Sequence, residues 1–177
     1  GDRVACLMLN DFRYLELLYG ITALGAIIVP LNTRLSPEEL SFILTDAGAE
    51  ILYIHDEFLP ILPEIIKQVP GVRKVIHVID KGIRKTDSYA EFQNYEESIR
   101  GQPDVPFSYN DMEEEDVAAL YYTGGTTGRP KGVMLTHKNL VSNAYQGLVR
   151  YRWNEDDIYL HSAPMFHLAD GGQSLSL

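Results

Sequence analysis

The sequence predicts an α/β fold, an open and largely parallel sheet with helices on both faces. Short apolar segments rich in strand formers alternate with segments whose apolar residues recur at helical spacing. The chain has 177 residues, of which 45% are hydrophobic and 23% charged, the composition of a globular domain with its own core. A disordered tail and a low-complexity fibre are therefore excluded.

The first part of the chain supplies four predicted strands and three predicted helices. The second helix has the clearest start, because Ser36 is a candidate cap, Pro37 follows it, and Glu39 comes three residues after the cap. Gly48 ends this helix. The predicted strands are 3–9, 26–31, 50–55 and 73–79, and the predicted helices are 12–26, 36–47 and 59–69.

The second part begins after a change in composition. Five of the six positions 111–116 are acidic, and a solvated charge run explains them better than a metal site. We place a boundary nearby, with an α/β subdomain at 1–105 and the truncated start of a second subdomain at 106–177. The elements expected after residue 79 are a turn at 80–82, a polar helix at 88–99, a linker at 102–106, strands at 117–122, 131–135 and 158–162, and a helix at 139–151 capped by Thr136.

Charge and cysteine content narrow the function classes. Fifteen Lys and Arg against 25 Asp and Glu give a net charge of −10, which argues against nucleic-acid binding. Cys6 is the single cysteine and lies in an apolar run, so we expect a buried, unreactive thiol. No signal peptide or transmembrane segment is predicted. We expect a cytoplasmic protein and leave peripheral membrane contact open.

The most informative segment is 122–133, which reads Tyr-Thr-Gly-Gly-Thr-Thr-Gly-Arg-Pro-Lys-Gly-Val. Its glycines let a phosphate approach bare backbone N–H groups, its threonines add hydroxyl donors, and Lys131 supplies a mobile positive charge. Residues 121–140 carry a net charge of +3, which leaves −13 on the rest of the chain. This local excess of cations indicates an anionic ligand. An ordinary flexible hairpin loop that binds nothing is the alternative.

A Walker A loop does not explain this segment. Lys131 stands between Pro130 and Gly132, so the Gly-Lys-Ser/Thr ending is absent. An apolar, strand-like run follows instead of the helix whose N-terminus a Walker loop uses. The sequence therefore predicts a glycine-rich loop between two strands.

The segment 122–137 closely resembles the phosphate-binding signature of the adenylate-forming superfamily, which includes acyl-CoA synthetases, adenylation domains of peptide synthetases and luciferases. Pro164-Met165-Phe166-His167 resembles a later motif of that family, next to its acyl pocket. Residues 31–35 are similar to an early segment of acyl-CoA ligases. The resemblance spans the whole chain and places it in the early part of the large N-terminal domain.

This resemblance implies the site residues. Magnesium would lie near Thr126, and His167 would lie beside the reacting carboxylate as the catalytic candidate, although a histidine packed into the fold is the alternative. The family often has serine or threonine where this chain has Gly124, so one hydroxyl donor is lost. The residues implied to bind the phosphates of ATP are Thr123, Gly124, Gly125, Thr126, Thr127, Gly128 and Lys131.

The implied activity is that of an AMP-forming ligase. A carboxylic acid, with fatty acids as the expected class, would react with Mg²⁺ and ATP to give an acyl-adenylate, and coenzyme A would then displace AMP. An amino-acid adenylation domain and a non-catalytic nucleotide-binding module stay open as alternatives. The family's adenine-binding segments and distal catalytic lysine are not among these residues, so we expect the chain alone to be inactive. The identity of the acid, the acceptor thiol and the oligomeric state stay open, with a homodimer among the options.

Overall fold

The computed structural model describes residues 1–79, 92–103, 112–124 and 128–176. Within these ranges the chain forms one seven-stranded sheet in the order β5-β4-β3-β1-β2-β6-β7. All neighbouring strands run parallel except β6 and β7, which form an antiparallel hairpin. The strands are β1 (Arg3–Leu7), β2 (Ile27–Pro30), β3 (Ile51–His55), β4 (Lys74–Val78), β5 (Gln93–Asn94), β6 (Val117–Thr123) and β7 (Lys131–Thr136).

Six α-helices and two 3-10 turns accompany the sheet in the described ranges. None of these helices is long and apolar enough to cross a membrane. The helices are α1 (Phe12–Ala23), α2 (Pro37–Ala47), α3 (Leu62–Ile66), α4 (Tyr95–Ile99), α5 (His137–Tyr151) and α6 (Leu168–Gly171), and the 3-10 turns are Asp56–Ile61 and Gln173–Leu175.

Two apolar cores cover the two faces of the sheet. Strand β1 shows the alternation, since Val4 and Cys6 pack in the core that contains α1, whereas Ala5 and Leu7 pack in the core that contains α2 and α3. Cys6 is fully buried, and this burial raises the pKa of its thiol, so the thiol is inert as expected. The prediction of a largely parallel sheet with helices on both faces is confirmed.

The start and end of α2 follow the sequence signals. The Ser36 hydroxyl accepts a hydrogen bond from the Glu39 N–H at 3.3 Å, and the Glu39 carboxylate accepts one from the Ser36 N–H at 2.9 Å. Gly48 ends the helix in the left-handed region at φ 63°, which favours glycine. Helix α5 begins in the same way, with Thr136 as the predicted cap.

Two predicted helices are shorter than expected. The segment 59–69 divides into the 3-10 turn and α3, because Pro60 and Pro63 lack the N–H groups that a continuous helix needs. In residues 92–99, the described part of the predicted helix 88–99, the helix covers Tyr95–Ile99 and Asn94 is its cap. Gln93 and Asn94 instead pair with β4.

The predicted strand at 158–162 is wrong. The apolar and polar residues do alternate, with Ile158 99% and Leu160 78% exposed while Tyr159 and His161 turn inward toward Asp170. No described strand lies beside this segment to pair with it, so the alternation produces no sheet.

The helical spacing of Tyr14, Tyr19 and Phe42 predicts core positions for these three aromatic residues, and the structure gives them three different environments. Tyr14 is fully buried, as expected. Tyr19 is 50% exposed and donates its hydroxyl hydrogen to the Ser174 carbonyl at 2.7 Å, so its assignment to the core is wrong. Phe42 is half-buried on α2, with the guanidinium of Arg129 over its ring.

Both predicted subdomains contribute to the same sheet, because β6 pairs in parallel with β2. The proposed boundary between residues 105 and 106 lies outside the described residues, as do the predicted turn at 80–82, residues 88–91 of the predicted polar helix and most of the linker at 102–106. The division into two subdomains therefore stays a prediction.

Candidate functional site

The segment with the phosphate-binding pattern lies at the turn of the β6–β7 hairpin. Thr123 at the end of β6 pairs with Lys131 at the start of β7, and Tyr122 pairs with Gly132. A loop between two strands was predicted here, and both strands are present. Gly125, Thr126 and Thr127 lie outside the described residues, so their proposed roles, including the magnesium position at Thr126, stay predictions.

The described part of this loop is open to solvent. Thr123, Gly124, Gly128 and Lys131 are all exposed. A Cβ atom built on Gly124 or Gly128 meets no heavy atom within 4 Å. Lys131 makes no ion pair with any residue in the described ranges. The backbone at both glycines and the lysine ammonium are therefore accessible to an anion.

A cavity of about 220 Å³ lies at the carboxyl ends of the neighbouring parallel strands β2 and β6, the edge at which open α/β sheets bind ligands. It brings the loop together with His167, which is 39 residues beyond Gly128 in the sequence. Helix α2 forms another part of the wall, through Glu39 and Ile43. The site residues that line the cavity are Thr123, Gly124, Gly128 and His167.

His167 is held at the rim of this cavity by a short turn. Its backbone N–H donates a hydrogen bond to the Pro164 carbonyl at 3.0 Å. Phe166 is buried, whereas the His167 side chain is exposed, with its ring centroid 4.6 Å from that of Phe166. The His167 side chain is therefore not packed inside the fold, and its contact with the reacting carboxylate stays a prediction.

Asn10 supports the same turn, and the sequence analysis missed it. Its side-chain amide donates hydrogen bonds to the carbonyls of His161 at 3.0 Å and Ala163 at 2.8 Å, and its Oδ1 accepts one from the Met165 N–H at 2.8 Å. A polar residue shortly after a buried parallel strand is a signal that could have identified it, because strand ends of this kind surround ligand sites.

A buried carboxylate supports the turn from the other side. Asp170 is 2% exposed and accepts a hydrogen bond from the Tyr159 hydroxyl at 3.0 Å, and Nδ1 of His161 lies 2.7 Å from its second oxygen. The next residue, Gly171, has no room for a side chain, because a Cβ atom there would overlap the Met165 carbonyl. The turn that carries His167 is therefore fixed by contacts along the whole segment.

The three cations of the positively charged window, Arg129, Lys131 and Lys138, differ in their contacts. Nζ of Lys138 lies 2.7 Å from Oε1 of Glu115 and 3.8 Å from Oε2 of Glu114. These two carboxylates raise the pKa of the Lys138 ammonium. Arg129 lies over the ring of Phe42, with 5.2 Å between its Cζ and the ring centroid. Arg129 keeps its positive charge at the exposed end of the loop, and Lys131 is the cation of the window for which the described residues show no side-chain partner.

A second and larger hollow, of about 400 Å³, lies between α1 and α5. Apolar residues such as Leu18, Leu140 and Leu148 line most of it, and none of the predicted site residues does. This hollow is larger than the cavity at the hairpin, and its polar lining residues are Tyr19, Thr22, His137 and Tyr145, which are not among the predicted site residues.

Comparison with known proteins gives a consistent result. Residues 1–174 match the family described as AMP-binding enzyme. The chain is 30% identical over 174 residues to 4-hydroxybutyrate–CoA ligase 2 of Metallosphaera sedula, covering 98% of this chain and 32% of that protein. It is also 30% identical over 178 residues to the medium-chain-fatty-acid–CoA ligase of Ectopseudomonas oleovorans, covering 99% of this chain and 32% of that protein.

Among solved structures, the ATP-bound MatB of Rhodopseudomonas palustris superposes with a TM-score of 0.74 at 30% identity, covering 99% of this chain and 34% of that one. The chain spans about a third of the length of each of these relatives.

Proposed function

Since this chain belongs to the AMP-binding enzyme family of adenylate-forming enzymes, we propose that it forms the phosphate-binding part of an AMP-forming acid–thiol ligase. The observation that carries the proposal is the single cavity shared by the glycine-rich hairpin and His167, two motifs that lie far apart in the sequence. The similarity to a medium-chain-fatty-acid–CoA ligase supports fatty acids as the substrate class. Fatty-acid metabolism in the cytoplasm is the corresponding setting.

The reaction makes a carboxylate into a good acyl donor. A carboxylate oxygen attacks the α-phosphorus of ATP, the bond to the bridging oxygen breaks, and its electron pair leaves with pyrophosphate. The thiol of coenzyme A then attacks the acyl carbon of the adenylate and displaces AMP. Such phosphoryl chemistry depends mainly on positioning and on neutralising charge.

The residues of this chain supply those two functions. Backbone N–H groups at Gly124 and Gly128 and the hydroxyl of Thr123 can donate hydrogen bonds to phosphate oxygens. Lys131 places a positive charge beside the leaving pyrophosphate. His167 lies at the rim, where it can donate a hydrogen bond to the reacting carboxylate.

The size of the cavity limits what it encloses. Its 220 Å³ are below the roughly 300–1,000 Å³ of sites that enclose a whole drug-sized ligand. We infer that the cavity takes the phosphate chain and the reacting carboxyl group, while the rest of the nucleotide lies outside it.

The magnesium ion stays proposed near Thr126, whose hydroxyl oxygen is of the hard type that Mg²⁺ prefers. The bound ion would supply charge neutralisation at the phosphates.

Binding of Mg-ATP to this chain, measured by isothermal titration calorimetry, tests the proposal. Lys131→Met should weaken binding roughly 10- to 100-fold, because it removes a charge-assisted contact. Lys138→Met is the matched control and should bind as the unmodified chain does, since Lys138 is held by Glu114 and Glu115. Equal affinities for the unmodified chain and both variants, or no binding by any of the three, would rule out the proposed phosphate-binding role.

We expect binding without turnover, because the chain spans only a third of the length of its relatives. ATP–pyrophosphate exchange catalysed by the chain should therefore stay near background. An amino-acid adenylation domain remains the second candidate, and exchange by a full-length protein with amino acids but not with fatty acids would favour it.

A further inference from the structure

We propose that helix α2 positions the phosphate-binding loop by holding both of its ends, through the pair Asp46–Tyr122 on one side and the pair Phe42–Arg129 on the other. This inference rests on the proposed function, since it adds positioning residues to the same ATP site. Tyr122 also lines the cavity, whereas Asp46, Phe42 and Arg129 do not. The role of the four side chains is to decide where Thr123, Gly124 and Gly128 lie.

The first contact fixes the end of β6. The Tyr122 hydroxyl donates a hydrogen bond of 2.6 Å to Oδ2 of Asp46 on α2. Burial and this hydrogen bond raise the pKa of the Tyr122 hydroxyl, so the group stays a donor at neutral pH. Tyr122 directly precedes Thr123 and Gly124, the first two residues of the loop. A hydrogen bond at this position therefore acts on the backbone that meets the phosphates.

The residue opposite Tyr122 in the hairpin is a glycine, and this lets the tyrosine ring lie across β7. A Cβ atom on Gly132 would lie 3.1 Å from Cζ of Tyr122 and 3.0 Å from Cδ1 of Leu120, tighter than ordinary contacts. An aromatic side chain that covers a cross-strand glycine is a recognised way to fix sheet geometry. Gly132 therefore has a structural role, which is to leave space for the Tyr122 ring, and this role is separate from phosphate binding.

The second contact fixes the other end of the loop. Arg129 follows Gly128, and its guanidinium lies 5.2 Å from the ring centroid of Phe42, within the range of a cation–π interaction. Phe42 and Asp46 are four residues apart and therefore lie on the same face of α2. One helix face thus contacts the chain immediately before and immediately after the loop.

Helix α2 is anchored both at its start and along its buried face. Its first turn carries the reciprocal Ser36–Glu39 hydrogen bonds, and Ile43 and Leu44 are buried in the core that covers this face of the sheet. The same arrangement explains why Arg129, although it is the cation nearest the glycines, is directed toward α2. Lys131 is left as the cation of the site.

Two measurements on the full 177-residue chain test the proposal, the dissociation constant of Mg-ATP and the ¹H–¹⁵N signals of Thr123, Gly124 and Gly128. Tyr122→Phe and Asp46→Ala should each shift these signals and weaken binding roughly five-fold. The double variant should be no weaker than either single one, because both remove the same contact. Phe42→Leu should shift the Gly128 signal and weaken binding by a smaller factor, about two-fold.

Two controls separate positioning from general damage to the fold. Asp46→Asn keeps an acceptor for the Tyr122 hydroxyl and should restore both the signals and the affinity. Tyr19→Phe deletes a tyrosine hydroxyl that is bonded to the Ser174 carbonyl, away from the cavity, and should change neither readout.

The outcomes for the two proposals differ. Unchanged loop signals in Tyr122→Phe and Asp46→Ala would overturn the positioning role, whatever the affinity. If the loop signals shift but the unmodified chain does not bind Mg-ATP, the positioning of the loop by α2 is supported. The proposed phosphate-binding function is then refuted. Shifted signals with unchanged affinity would show that α2 holds the loop without serving the ATP site, which contradicts the proposal.

Discussion

The two walls of the candidate site come from regions of very different character. Helix α2 and strands β1 to β3 belong to a closed core, in which Ile54 and Leu44 are fully buried. The β6–β7 hairpin and α5 leave apolar side chains open to solvent, with Met134 68% and Val149 79% exposed. The stable region can therefore act as a fixed support, while the open hairpin carries the groups that a ligand must reach.

The largest effect expected from this difference is on stability. Ile54→Ala should lower the free energy of unfolding by about 2–5 kcal/mol, because it leaves a cavity in a closed core. Val149→Ala removes a side chain that is already mostly exposed and should change it by less than about 0.5 kcal/mol. Urea denaturation followed by circular dichroism measures both. Similar losses in the two variants would show that the regions do not differ as described.

An intermediate effect is expected where Asn10, just after β1, meets the turn that carries His167. Asn10→Asp replaces an amide that donates to two carbonyls with a carboxylate that repels them. We therefore expect the free energy of unfolding to fall by about 1–3 kcal/mol and amide hydrogen exchange at Met165 and His167 to become faster. Hydrogen exchange followed by NMR reports both quantities.

The control for Asn10 is the same substitution at Asn139 in α5. There the side-chain oxygen acts as an acceptor for the Thr136 N–H, a role that a carboxylate keeps at a helix N-terminus. Asn139→Asp should therefore leave stability and the exchange of Met165 and His167 unchanged. Equal losses in both variants would contradict the supporting role of Asn10.

The smallest effect is expected on the open side of the site. Gly124→Ser adds a hydroxyl where a Cβ atom meets nothing within 4 Å, so it should fit without strain. One added neutral hydrogen bond is worth about 0.5–1.5 kcal/mol, which corresponds to Mg-ATP binding roughly two- to ten-fold tighter by calorimetry. Gly124→Ala tests the fit alone and should bind as the unmodified chain does. Weaker binding by the serine variant would mean that the loop needs glycine at this position.

Local sequence signals predicted much of the fold correctly. The capping box at Ser36 and Glu39, the end of α2 at Gly48 and the cap at Thr136 all depend on neighbouring residues, and all are present. The prediction of a strand at 158–162 was wrong because local signals do not determine strand pairing. A strand needs a partner, and an alternating pattern does not say whether a partner lies alongside.

The candidate site was predictable where its residues form a continuous segment. The hairpin motif and the segment that ends at His167 could each be recognised from the sequence. The supporting residues Phe42 and Asp46 could not, because each acts on a segment more than 70 residues away and shows no special pattern of its own. Asn10 also acts over such a distance, and its position just after a buried strand is the one signal that the sequence offers for it.

The sequence by itself determined the alternation of strands and helices, the helix caps and the glycine-rich hairpin with its lysine, because these depend on interactions among near neighbours. The tertiary structure decided that the hairpin and His167 share one cavity, that Lys138 and Arg129 are engaged elsewhere, and that α2 contacts both ends of the loop. These outcomes depend on which side chains the packing of the sheet brings within a few ångströms of each other, and spacing along the chain does not encode that directly.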